Sequence, residues 1–125
     1  MRLIVLFAVI ALAGCAKQSA PVISCAALTQ GCALAQDQLS VKTDRAPTPL
    51  KPFALTVLAP AAQAVNVEVQ MQGMEMGLNR YRLIRQASGE WHANITLPIC
   101  VTGRRDWLMM IEVDGVRRGL AFQTE

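Results

Sequence analysis

The sequence predicts an all-β protein, an antiparallel β-sandwich of about seven strands preceded by a signal peptide and a flexible tether. Three observations carry this. Apolar and polar residues alternate with a period of two in segment after segment, most cleanly over Val65–Met71. Turn residues recur between those segments at spacings of about 8–12 residues. No stretch after the leader carries a convincing helical period.

The chain of 125 residues is long enough for one domain. Its formal charge of +3, or +2 without Arg2, is too small to argue for nucleic acid as a partner. Arg104-Arg105 and Arg117-Arg118 are diluted by Asp106, Glu112 and Asp114 and read as solvated strand ends.

Residues 1–14 have the layout of a secretory leader. Arg2 supplies the positive start, and residues 3–12 form an apolar run of ten, too short to span a bilayer. The run ends in Leu12-Ala13-Gly14-Cys15. Small residues leading directly to a cysteine resemble the lipobox of bacterial lipoproteins. The cysteine is needed because its thiol becomes the diacylglyceryl thioether, and cleavage before Cys15 frees its amine for acylation. Two or three acyl chains make a stable anchor where one is marginal. The expected partner of Cys15 is therefore a lipid bilayer, with the domain facing the periplasm. Ala16 rather than Asp after the cysteine points to the outer membrane by the sorting rule of Gram-negative lipoproteins.

Residues 15–38 read as the lipidated tether, with Cys25 and Cys32 in it, and residues 39–125 as the sandwich domain. Residues 16–21 are small, polar and end in Pro21. Residues 28–39 leave room for one helical turn. An oxidising compartment makes a disulfide the default among Cys25, Cys32 and Cys100. Cys25–Cys32 would close a small loop at Gly31. Cys25–Cys100 or Cys32–Cys100 would staple the weakly held N-terminal segment to the domain. The longer closure constrains the unfolded chain more, roughly 3–5 kcal/mol in the chain-entropy account, which favours one of the two long bridges. The Cys-x6-Cys spacing with a single histidine excludes structural zinc.

The strands follow in order. Leu39–Thr43 is the first. Pro47, Pro49 and Pro52 make residues 44–52 an extended connector. Phe53–Leu58 alternates, with Phe53, Leu55 and Val57 on one side, and Pro60 ends it. In Val65–Met71 the inward row is Val65, Val67, Val69 and Met71. Residues 79–85 place Tyr81 and Leu83 inward and Arg80 and Arg82 outward. Residues 87–90 turn. Residues 91–97 place Trp91, Ala93, Ile95 and Leu97 inward and His92 outward, closed by Pro98. Residues 107–113 carry Trp107, Met109, Ile111 and Val113 on one face. Asp114-Gly115 is a two-residue hairpin signal, and Val116–Gln123 returns with Leu120 and Phe122 inward. An Ig-like sandwich suits this size and count.

The candidate binding element is Met71-Gln-Gly-Met74-Glu-Met76-Gly77. Thioethers are soft, neutral ligands that select Cu(I) over zinc, magnesium or calcium. Gly73 and Gly77 would let the backbone bend to bring Met71, Met74 and Met76 to one ion. Cys100 or His92 would supply a fourth ligand. The competing reading is packing: Met71 continues an inward row, and methionine fills irregular gaps under loops.

Met71-Gln-Gly-Met74-Glu-Met76-Gly77, Arg80-Tyr81-Arg82-Leu83, Gly89-Glu-Trp91, Leu97-Pro98 and Trp107 together resemble the core of the YtkA-like and FixH-like domains. The resemblance covers residues 65–113. It implies a small exported or membrane-tethered β-sandwich, and a link to copper handling or respiratory oxidase assembly. This chain lacks the two histidines that a Cu(II)-binding relative needs, which leaves Cu(I).

No catalytic constellation is legible. His92 is alone on an outward face, and no local motif supplies a nucleophile with an orienting carboxylate. Residues 73–77 hold methionines where a phosphate loop needs bare backbone. Two functions of different class follow: a lipid-anchored Cu(I)-binding module with Met74 and Met76 as ligands and Met71 or Cys100 in support, and a metal-free lipoprotein that docks on an envelope protein, for example by strand addition.

Overall fold

In the computed structural model, residues 20–34, 38–74, 79–99 and 103–124 are described. They form ten strands: β1 Val22–Ser24, β2 Cys32–Leu34, β3 Leu39–Thr43, β4 Phe53–Leu58, β5 Val65–Met71, β6 Arg80–Arg82, β7 Ile84–Arg85, β8 Glu90–Ile95, β9 Asp106–Val113 and β10 Val116–Gln123. Two five-stranded sheets, β1-β10-β9-β5-β6 and β2-β3-β4-β8-β7, make a sandwich. The all-β prediction holds, with ten strands in place of about seven.

The core follows from the alternation. Val65, Val67, Val69 and Met71 on β5 stand opposite Val113, Ile111, Met109 and Trp107 on β9, and Leu120 and Phe122 on β10 extend the layer. Val41, Phe53, Leu55, Val57, Trp91 and Ile95 supply the facing layer from the other sheet. Removing these side chains from water supplies the main driving force, at about 25 cal/mol per Å² of apolar surface. The β9–β10 hairpin turns at Asp114 and Gly115, both with positive φ (49° and 84°), the signature of the type I′ turn that Asp-Gly favours.

The extra strands have two sources. First, the sheets take in Val22 to Leu34, which the sequence reading assigns to the tether. β1 pairs in parallel with β10, and β2 pairs antiparallel with β3 after a turn in which the Gln30 and Gly31 amides bond the Ala27 and Leu28 carbonyls. Gly119 makes the parallel pair possible: a Cβ there would stand 2.6 Å from Val22 Cγ2. Three-residue strands are too short to show alternation, which is why the sequence hides them. Second, residues 79–85 divide at buried Leu83. β6 pairs with β5 in one sheet and β7 with β8 in the other, so a single edge segment crosses between the layers.

The disulfide is Cys25–Cys32, with Cα atoms 6.1 Å apart. This corrects the preference for a long bridge. The stapling argument assumed a loosely held N-terminal segment, but β1 and β2 already hold it by ladder hydrogen bonds, and the Cys25 amide donates to the Ala121 carbonyl at 2.8 Å. The bond joins the end of β1 in one sheet to the start of β2 in the other.

Candidate functional site at the methionine turn

The strands place their connections at two ends. The end of β5 and the start of β9 meet at Met71 and Trp107, so residues 72–74, 96–99 and 103–105 lie at one end of the sandwich. Residues 25–31 and 44–52 join them, since the Leu50 amide bonds the Leu97 carbonyl and Cys25, Pro47 and Arg105 line one cavity of about 510 Å³. We call this the methionine end. The hairpin end opposite carries the β9–β10 turn and residues 59–64.

The structure separates the sequence-predicted ligands. Met71 is 0% exposed and belongs to the core, so it is not presented to an ion at the surface. Met74 is 37% exposed. Its amide closes a turn onto the Met71 carbonyl at 3.2 Å, and Gly73 takes φ +74° at the third position, the geometry of a type II turn. Gly73 therefore bends the backbone as expected, but the bend ends β5 and parts exposed Met74 from buried Met71 instead of bringing the two together. Met76, Cys100 and the lipidation candidate Cys15 lie outside the described residues, as do Glu75 and Gly77.

The turn is braced from β9. The Gln72 amide donates to the Asp106 carbonyl at 3.1 Å. Arg104 Nη1 lies 4.0 Å from where a Gly73 Cβ would stand. Arg104 also grips the Asp106 carboxylate through two donors, Nε at 3.0 Å and Nη2. That hydrogen bond holds the Asp106 carboxyl below its ordinary value of 3.8, so it stays ionised beside the guanidinium. A bare guanidinium next to the turn would repel a cation, and the carboxylate cancels it. Sequence reading took Arg104 as a solvated strand end. Its separation of two residues from Asp106, which puts both side chains on one face of a strand, was the available signal.

His92 does not reach this end. It sits outward on β8 opposite Thr56, with Nε2 3.3 Å from Glu90 Oε2. Among the described residues, no three His, Cys, Asp or Glu side chains converge to hold a metal.

Two exposed apolar residues share the methionine end with Met74. Ile99 follows β8, and Leu50 is 57% exposed with φ +65° in the Thr48-Pro49-Leu50-Lys51 turn. A leucine in the left-handed region is strained by roughly 1–2 kcal/mol, where glycine would be at ease.

Comparison with protein-family models, with curated proteins and with solved structures finds no match.

Proposed function

We propose that this protein is a lipid-anchored cell-envelope lipoprotein whose sandwich is a non-catalytic binding module, with Cu(I) as its ligand at the methionine end. The observation that supports it is Met74: a half-exposed thioether turned out of the fold by Gly73, beside an arginine whose charge is already cancelled. Met76 and Cys100 are the proposed companions, because in sequence they closely follow Met74 and Ile99, both exposed at this end. Kinship with the YtkA-like and FixH-like domains, and a role in copper handling or respiratory oxidase assembly, are part of this proposal. The thioethers of Met74 and Met76 need no deprotonation, so their share of the binding would persist in mildly acidic conditions where histidine sites fail, while Cys100 would bind as the thiolate. Copper-edge X-ray absorption on the Cu(I)-loaded soluble domain tests it. A first shell of sulfur alone is expected. A nitrogen or oxygen shell, or no uptake, contradicts it.

A second reading is favoured by Leu50. An exposed leucine held in a strained conformation, at the same end as exposed Ile99 and Met74, suits docking on an envelope protein without metal. Leu50→Asp would then abolish capture of that protein, and wild type would take up no copper.

A further inference from the structure

We infer that the hairpin end of the sandwich lies against the lipid bilayer, which leaves the methionine end pointing away from the membrane. The inference rests on the lipid anchor at Cys15 proposed above, and adds to it the direction in which the domain stands.

Chain length and strand direction set the orientation. β1 begins at Val22 opposite Gly119, and the Gly119 amide donates to the Pro21 carbonyl at 2.7 Å. Because β1 runs parallel to β10, going back along the chain from Val22 leads toward Val116 and the β9–β10 turn. The level of Val116 is about 10 Å from that of Gly119 at the rise of a strand. Cys15 precedes Pro21 by six residues, which even fully extended reach only ~20 Å. A chain that continues the line of β1 therefore carries the acyl chains past the hairpin by about 10 Å. Reaching the other end demands a reversal. The level of Gln123 is about 13 Å from Gly119 in the wrong direction, and the connections of the methionine end extend beyond it.

The surface at the hairpin end suits a headgroup layer. Pro60 and Ala61 are exposed there, and Val116 is 55% exposed. Leu39, Ala59, Val113 and Val116 line a cavity of about 310 Å³ that Arg118 also borders. The carboxylate of Asp114 also borders this cavity and is held by the Gln63 and Ala64 amides, from which it accepts at 2.9 and 2.8 Å. Apolar side chains exposed at the end nearest the acyl chains are the composition of an interfacial contact.

The test uses the full lipidated protein in vesicles of phosphatidylethanolamine and phosphatidylglycerol containing nitroxide-headgroup lipid. One fluorophore is attached at Ala61→Cys or at Lys51→Cys, each with Cys100→Ser. Quenching severalfold stronger at position 61 than at 51 is expected. Inserting a Gly-Ser spacer of about 20 residues before Ala20, with an r.m.s. span of ~25 Å, should erase the difference. Equal quenching without the spacer, or stronger quenching at position 51, overturns the orientation. Protein that fails to float with the vesicles, or a Cys15→Ser variant that floats as well as wild type, overturns the anchoring reading itself and the orientation with it.

Discussion

Met71 stands directly opposite Trp107 across the β5–β9 ladder, and both are 0% exposed. The first methionine of the triplet is thus a core residue and the second is a surface residue, although one turn separates them. Met71→Ala should cost roughly 2–5 kcal/mol through a cavity against the indole. Met74→Ala should stay within about 0.5 kcal/mol of wild type, as exposed positions do. Urea midpoints of the two variants measure both. A large loss for Met74→Ala would place that side chain in the packing.

The Arg104–Asp106 pair has a pH signature. The arginine hydrogen bond lowers the folded-state pKa of Asp106 below its unfolded value. Its contribution is therefore complete above the unfolded value and is lost as pH falls through the lowered folded value. Carbon-13 NMR titration should show Asp106 titrating below the ordinary range, and returning to it in Arg104→Gln. Asp106→Asn should also weaken Cu(I) binding by leaving the guanidinium uncompensated beside the turn.

The Cys25–Cys32 bond ties the edge strand of one sheet to the edge strand of the other. A loop this short gives roughly 2–3 kcal/mol in the chain-entropy account. Urea unfolding in reductant should show a lower midpoint and a free energy of unfolding reduced by that amount. The Cys25→Ser/Cys32→Ser variant should match reduced wild type, with hydrogen exchange rising first in β1 and β2.

Gly119 decides whether β1 can dock. Its missing Cβ is filled by Val22, a β-branched side chain with few rotamers to spare. Gly119→Ala should destabilise by about 1–3 kcal/mol by overpacking. Gly119→Ala with Val22→Ala should recover most of that loss, which a double-mutant cycle reads directly.

The long strands were legible because half-buried alternation is a strong pattern. Val65 to Met71 and Trp107 to Val113 show it residue by residue in their burial. β1, β2 and the sheet change at Leu83 were not legible, since segments of two or three residues carry no period, and β1 also depends on a partner about a hundred residues away, Gly119 for Val22. For the site, Gly73 announced a turn correctly. The inward row that the alternation gave to Met71 continues into the core, and among the described methionines of the triplet Met74 is the one that emerges, because the turn at Gly73 breaks the period of two.

The most direct measurement is an anaerobic Cu(I) competition titration of the soluble domain beginning after Cys15. Wild type, Met71→Leu and Met74→Ala/Met76→Ala would be compared. The account predicts one Cu(I) per chain, kept by Met71→Leu, whose core is preserved, and lost by the double variant. No binding by wild type, or binding that the double variant retains, would contradict it and assign the methionine turn to packing.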